Sequence, residues 1–264
     1  MFLPPAGTPM GEIIVHEDGL ALDDPTLVEG LPGIGLVGKI ATDHLVDAFE
    51  MEHYASIYCD GIPSVGVYHA GDATVQAPVR LYADAERDLL ALQSDVPVSA
   101  ESADNFANCV VGWMARNDVR PIFLSGRPSR EQGAPLEVEP QGAPGVRGIA
   151  TGEAAALLDE AGIEAPPESG AVSGPTGALL HDTAREGIDG VGLVVESDPN
   201  FPDPLAARAL LEVGVGPIAD VDVSVGVLAD RAAEIRKQKQ QLAKQMQEAT
   251  SEESSQAQPL RMYQ

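Results

Sequence analysis

A glycine-rich turn near residue 35 has the spacing of a dinucleotide-binding motif. Gly33, Gly35 and Gly38 form a literal G-x-G-x-x-G that follows a predicted strand and opens a predicted helix. Asp60 ends the next predicted strand, 22 residues after Gly38. In a dinucleotide-binding fold such glycines let backbone amides approach a pyrophosphate, and the acid binds the ribose. This chemistry would make the protein a nucleotide-binding or hydrolytic α/β enzyme.

Two features of the same segment favour a different interpretation of the glycines. Gly30 and Pro32 lengthen the turn, and the chain after Asp60 predicts antiparallel strands instead of the second helix of a nucleotide-binding half. The alternative is a strand-to-helix turn whose glycines permit close backbone packing. Because topology decides the meaning of such a motif, we favour the packing turn and keep the ligand site as the alternative.

A second glycine-rich segment, residues 173–177, offers a hydroxyl group for chemistry. Ser173 could hold an anion or act as a nucleophile, but the segment lacks the G-x-S-x-G elbow of the α/β hydrolases. The five histidines are scattered without metal-binding spacing, and none identifies a catalytic base. The sequence therefore predicts no catalytic residue, no metal site and no cofactor.

The C-terminal residues have the chemistry of a docking peptide. The chain ends in Met262, Tyr263 and Gln264, which follow the polar stretch 251–259. An apolar side chain, an aromatic hydroxyl and a terminal carboxylate offer three distinct contacts, and pockets that capture chain termini are a known recognition mode. The alternative is an ordinary frayed terminus.

The charge of the chain is strongly negative. Asp and Glu number 41 against 16 Lys and Arg, a net charge of -25 at pH 7. This composition suits a halophilic protein, because molar salt screens self-repulsion over roughly 3 Å. Residues 230–264 carry six Lys/Arg and five acids, whereas residues 1–229 carry ten Lys/Arg and 36 acids, a net charge of -26. The composition disfavours nucleic acid as a partner, since binding it needs clustered cations.

The two cysteines and the hydropathy pattern indicate the cellular environment of the protein. Cys59 and Cys109 lack the spacing of a zinc site or a disulfide framework, so we expect two unpaired, buried cysteines. No stretch approaches the roughly 18 apolar residues of a membrane-spanning helix, and the N-terminus lacks a charged leader region. We expect a soluble, cytoplasmic protein without membrane contact.

The apolar pattern predicts a three-layer α/β/α domain with a mixed sheet over residues 1–220. Strands are predicted at residues 13–15, 26–30, 54–59, 64–68, 73–76, 79–82, 89–92, 121–126 and 191–196. Helices are predicted at residues 36–46, 102–117, 151–161, 178–184 and 204–213. Residues 127–147, which are rich in Arg, Pro and Gly, predict a loop, after which Thr151 is expected to cap its helix.

A heptad pattern covers residues 221–249 and predicts a C-terminal helix, followed by a flexible tail at residues 250–264. Four apolar residues define the seam through which helices of a homo-oligomer would pack: Leu228, Ile235, Leu242 and Met246. Lys239 places one cation in this seam. The alternatives are a terminal helix packed on its own domain, or a coiled-coil scaffold for another partner.

Three blocks of sequence together resemble the archaeal proteasome assembly chaperone family. The first runs from Glu29 to Ala41, the second is residues 173–177 and the third is residues 202–211. The similarity covers roughly residues 10–228, and the first block is its most specific part. The resemblance implies a phosphorylase/hydrolase-like α/β/α fold without an established catalytic site.

The resemblance also implies a partner, the α-ring of the proteasome. The archaeal members of the family resemble subunits that bind this ring. Some of them end in a hydrophobic-Tyr-X motif, which Met262, Tyr263 and Gln264 match. By that analogy the terminal carboxylate would pair with a lysine between adjacent α-subunits, Tyr263 would orient the tail, and Met262 would fill an apolar recess. We therefore predict a non-enzymatic, homo-oligomeric proteasome assembly chaperone. The alternative is an enzyme that uses the glycine turn of residues 33–38.

Overall fold

The chain forms a mixed β-sheet with helices on both faces, and the computed structural model describes residues 11–16, 20–128, 144–233 and 235. In these ranges the strands are β1 (Gly11–Val15), β2 (Thr26–Gly30), β3 (Glu52–Cys59), β4 (Val79–Asp84), β5 (Leu89–Ser94), β6 (Arg120–Pro128), β7 (Val146–Thr151) and β8 (Gly190–Ser197). The helices are α1 (Val37–Ala48), α2 (Ala103–Arg116), α3 (Ala155–Glu160), α4 (Gly174–Glu186), α5 (Pro204–Ala209) and α6 (Gly216–Ala219).

The sheet has the spatial order β1-β3-β4-β5-β2-β6-β8-β7. Strands β5, β2, β6 and β8 are parallel neighbours at its centre. The pairings β1–β3, β3–β4, β4–β5 and β7–β8 are antiparallel. Every residue of β2 is buried, as expected for a parallel strand that is covered on both faces. The predicted mixed sheet is therefore confirmed.

Two helical layers bury the two faces of the sheet. On one face α1 packs with α5, and its buried residues Val37, Ala41 and Leu45 have the spacing of a single helix face. On the other face α2 packs with α4 and buries Phe106 and Val110 among others. Each helical layer belongs to its own hydrophobic cluster, so the predicted three-layer architecture is confirmed.

The segment predicted as the loop 127–147 contains part of β7, a strand that the sequence pattern does not predict. β7 pairs antiparallel with β8, and a glycine at its centre obscured the strand pattern. Thr151 does not cap a helix. Its hydroxyl donates to the Ile188 carbonyl at 2.8 Å and accepts from the Gly190 amide at 3.0 Å, so it holds β7 against β8, and α3 begins only at Ala155.

The segments 64–68 and 73–76 are not strands of the sheet, contrary to the sequence prediction. They approach each other through one isolated bridge, Val67 to Gln76, in the connection between β3 and β4. We call residues 61–78 the hairpin. The two segments alternate in polarity, but tertiary structure places no sheet strand beside them, and the pattern alone does not make a strand.

The cysteine prediction is wrong, because Cys59 and Cys109 form a disulfide. It joins the end of β3 to α2 across 50 residues of sequence. Spacing could not reveal the pair, since the fold brings the two cysteines together. In the chain-entropy model a link across a loop of this size stabilises the fold by about 4 kcal/mol.

The start of the predicted heptad helix packs on its own domain. Residues 226–233 are helical, and Val225, Leu228 and Ala232 are buried, the first two in the cluster under α1. Leu228 is therefore not available to a partner helix, in contrast to its predicted place in an oligomer seam. Ile235 is partly exposed. Outside the described residues lie Leu242, Met246 and the tail residues Met262, Tyr263 and Gln264.

Candidate functional site at the switch point of the sheet

β2 and β6 lie side by side, and the chain leaves their carboxyl ends in opposite directions along the sheet. From β2 it passes through α1 to β3, on the β5 side, whereas from β6 it continues to β7, on the β8 side. In open α/β sheets, ligands bind at the carboxyl ends of such a strand pair. This edge of the sheet is therefore where the fold would hold a ligand.

The side chain of Glu29, near the end of β2, fills this position. Its Oε1 accepts hydrogen bonds from the Leu31 amide and the Thr176 hydroxyl, both at 3.0 Å, and its Oε2 accepts one from the Leu124 amide at 3.3 Å. The β2–β6 register ends at Glu29 and Phe123, so the Leu124 amide has no further β2 carbonyl in this register. The carboxylate thus replaces the missing strand partner and ties β2, β6 and α4 together.

Complete burial determines the protonation of Glu29. Its exposed fraction is 0%, and burial raises the pKa of its carboxyl group from 4.5 to about 7, although the hydrogen bonds from Leu31, Thr176 and Leu124 act in the opposite direction. A carboxyl group that titrates near neutrality has the pKa of a general acid or base. Because its side chain has no solvent exposure and is hydrogen-bonded to protein groups, we assign it a structural role.

The glycines of the turn are used for packing. Gly35 has a φ of +64°, and a Cβ there would lie 1.9 Å from Ser197 Oγ. A Cβ at Gly38 would lie 3.4 Å from the Gly30 Cα, whereas nothing lies within 4 Å of the corresponding position at Gly33. A Cβ at Gly38 would make only ordinary van der Waals contact, so Gly35 is the motif glycine that the close approach of the turn requires, and its role supports the packing interpretation.

The topology also differs from that of a dinucleotide-binding fold. There the strand after the first helix returns parallel and beside the first strand. Here β3 is antiparallel to both of its neighbours, and β4 and β5 lie between it and β2. Asp60 follows β3 and is consequently three strand positions away from the glycine turn. The motif is present without the βαβ unit that gives it its nucleotide-binding meaning.

Asp203 joins the turn to the start of α5. Its amide donates to the Gly35 carbonyl at 2.9 Å, and its carboxylate accepts from Ser197 Oγ at 3.1 Å and from the Ala206 amide at 3.1 Å. The last bond is an N-cap, which satisfies an amide at the beginning of the helix. Together with the bond between Thr176 and Glu29, these contacts bring all three sequence blocks to one edge of the sheet.

The predicted candidate Ser173 does not join a catalytic group. It is exposed at the N-terminus of α4 and makes no side-chain capping bond. The residues that organise the junction, Glu29, Thr176 and Asp203, were not singled out individually from the sequence. For Glu29 a signal was present, since an acid within an otherwise buried apolar strand requires hydrogen-bond partners.

Within the described part of the chain, no group of three or more His, Cys, Asp or Glu side chains could hold a metal ion. No described helix has the length and apolar character needed to cross a membrane.

The fold and the junction define an α/β/α protein built around a packed switch point. Residues 27–243 match the model of the PAC2 family, so the chain belongs to this family. A relative from Methanocaldococcus jannaschii is 25% identical over 241 residues, which cover 88% of this chain and 90% of the relative. The family match over residues 27–243 includes all three sequence blocks of the junction.

Two solved structures from Pyrococcus furiosus are similar in fold. PbaA, an archaeal homolog of proteasome-assembly chaperone, has a TM-score of 0.75 at 23% identity and covers 93% of this chain and 97% of PbaA. PbaB, an archaeal proteasome activator, has a TM-score of 0.72 at 25% identity and covers 89% of this chain and 99% of PbaB. The mixed sheet and its helical layers are thus those of PAC2 structures.

Gly35→Ala tests the packing role of the turn. We expect the free energy of unfolding to fall by at least about 2 kcal/mol, because the new Cβ would clash with Ser197 Oγ and require an unfavourable positive φ. Gly33→Ala is the matched control and should change it by less than about 0.5 kcal/mol, since that position is open. Chemical denaturation in molar salt measures both. Equal losses would contradict the packing role.

Glu29 should make stability depend on pH. Because its folded pKa of about 7 lies above the ordinary 4.5, its contribution is fully present below pH 4.5 and is lost as pH rises to about 7. We expect a loss of about 3 kcal/mol across this window, which Glu29→Gln should remove. Urea unfolding between pH 4 and 8 measures it, with the exposed Glu12→Gln as control. Parallel pH profiles for wild type and Glu29→Gln would refute this role.

Proposed function

We propose that the protein is a non-enzymatic proteasome assembly chaperone or proteasome-binding factor. The observation that carries this proposal is membership of the PAC2 family together with a fold similar to those of PbaA and PbaB. Both of those proteins are described by their relation to the proteasome. The packed switch point supports a binding function over catalysis, because Glu29, the carboxyl group whose pKa burial raises to about 7, has no solvent exposure.

The contact with the proteasome is assigned to the C-terminal Met262, Tyr263 and Gln264. Their order matches a hydrophobic-Tyr-X motif. By the family resemblance, the pocket that receives it would lie between adjacent α-subunits. A flexible tether of about eleven residues spans roughly 18 Å root-mean-square, which lets a terminus search a nearby surface. Residues 230–264 are nearly neutral. An acidic partner would therefore repel this segment less than it would repel the acidic body of the protein.

Oligomerisation would strengthen tail binding. A homo-oligomer presents several tails at once, and linked weak contacts gain affinity through effective concentration. With Leu228 committed to the domain core, the seam of such an oligomer would use Ile235, Leu242 and Met246. The proposed setting is a halophilic cytoplasm, where the net charge of -25 is screened.

Tyr263→Ala tests the tail. We expect binding to isolated α-rings in molar salt to weaken by at least about 100-fold, because the aromatic anchor and its hydroxyl contact are both lost. Removal of residues 262–264 should abolish binding. Leu260→Ala, in the same tail but outside the motif, should bind like wild type. Binding isotherms measure all three, and full affinity of the truncated protein would exclude tail docking.

Ile235→Asp with Leu242→Asp tests the seam. A charged pair in a helix–helix interface should convert the oligomer to monomers, because each carboxylate would lose its hydration on association. Light scattering gives the mass, and thermal unfolding should show an intact domain. An unchanged mass would place the oligomer interface elsewhere.

A further inference from the structure

The hairpin carries almost no charge in a chain that is otherwise strongly acidic. Asp72 is its only Asp, Glu, Lys or Arg, whereas 22% of the whole chain is charged. Residues 1–229, which include the hairpin, have a net charge of -26. A neutral surface of this kind allows an acidic protein to bind another protein without placing the carboxylates of the two proteins close together.

Three large apolar side chains of the hairpin are exposed. The exposed fractions are 47% for Val65, 78% for Tyr68 and 70% for Val75. Neither hydrophobic cluster of the domain includes them. Tyrosine is enriched among the residues that dominate binding energy, because it offers a large apolar area with a polar end. Burial of these side chains would therefore have to come from a partner.

Hydrogen bonds hold the hairpin in one shape. Val67 and Gln76 exchange two backbone bonds of 3.0 and 2.8 Å. At the tip, the Asp72 carboxylate accepts from the Thr74 amide at 2.8 Å and from the Gln76 carboxamide at 3.2 Å. The carboxylate of Asp72, the single charge of the hairpin, is thus hydrogen-bonded within its own turn. A preordered surface loses less conformational entropy on binding than a mobile loop.

Arg80 attaches the base of the hairpin to the sheet. Its guanidinium group is fully buried and donates to the Ala77 carbonyl and, at 3.3 Å, to His69 Nε2. It also donates to Asp95 Oδ2 at 2.6 Å and to Gln93 Oε1 at 3.0 Å. A buried cation needs its partners, so movement of the hairpin away from the sheet would leave the Arg80 charge unsatisfied.

The sheet residues that hold the base of the hairpin, and the segment that leads to the C-terminus, both form hydrogen bonds that reach α1. Gln93, which accepts from Arg80, donates to Asp43 of α1 at 2.6 Å. The next residue of α1, His44, shares a 2.7 Å hydrogen bond with the Ser224 carbonyl, just before the helical segment 226–233. An α-helix with its side chains is about 10–12 Å across. Two surfaces that flank one helix can contact the same partner.

We propose that the hairpin is a second docking surface for the protein that receives the C-terminal tail. This inference rests on the proposed function, under which that protein is the proteasome α-ring, and the complementary surface would be an uncharged apolar recess on the ring. Three side chains are far fewer than the about 20–30 residues per side of a stable interface, which argues against a second copy of this chain. A tethered contact needs less area, because the tail supplies an effective concentration of about millimolar.

The test compares a hairpin variant of the full-length protein with wild type and with the protein that lacks residues 262–264. The hairpin variant is Val65→Ser, Tyr68→Ser and Val75→Ser, and Val213→Ser is the control for an exposed apolar side chain elsewhere. Affinity for isolated α-rings in molar salt should fall at least about tenfold in the hairpin variant and less than about twofold in the control. The mass and the thermal unfolding midpoint should equal those of wild type.

Each of the other outcomes shows whether the hairpin proposal or the proposed function is wrong. Unchanged affinity in the hairpin variant, with binding still lost on removal of residues 262–264, overturns the hairpin proposal and leaves the tail intact. A lower mass of the hairpin variant shows that a second copy occupies the hairpin, and also overturns the proposal. If wild type does not bind α-rings, the proposed function fails and the hairpin loses its assigned partner. Tyr68→Ser alone repeats the test should the triple variant unfold.

Discussion

The buried carboxyl group of Glu29 lies where β2 leaves the sheet, and the arrangement of the surrounding segments depends on it. Its three hydrogen bonds connect the exit of β2, the amide of Leu124 in β6 and the hydroxyl of Thr176 in α4. A strand that ends before its neighbour leaves backbone donors without partners, and buried donors must be satisfied. In many α/β proteins the same edge holds a ligand. In this protein an acidic side chain takes the place that a ligand would occupy.

Two buried ionisable side chains, Glu29 and Arg80, have their hydrogen-bond partners within the domain. Glu29 is surrounded by donors, and Arg80 by acceptors that include Asp95 and the Ala77 carbonyl. Replacing either partner would leave a buried charge or donor without compensation, which costs more than the net gain of an ordinary hydrogen bond. These two clusters therefore make the glycine turn and the hairpin parts of a rigid scaffold. Such a scaffold suits a protein that presents surfaces to a partner.

Under the proposed function, recognition would use parts of the chain that differ in charge from the rest. The segment 230–264 is near neutral and the hairpin has one acid, whereas residues 1–229 as a whole carry a net charge of -26. Acidic surfaces keep a protein hydrated in high salt but repel other acidic proteins. Restricting contacts to neutral segments lets one chain be both strongly acidic and able to bind. The motif of the tail would give specificity, and the hairpin would add a contact of fixed geometry.

Apolar periodicity in the sequence predicts the three layers, the mixed sheet and most of the helices and strands, because it reports which face of an element is buried. It also placed the glycine turn between a strand and a helix. Which side chains meet depends on the tertiary structure. The disulfide of Cys59 and Cys109, the bond from Thr176 to Glu29 and the burial of Leu228 join residues far apart in sequence. Such contacts depend on strand order and register, which a local pattern of residues does not contain.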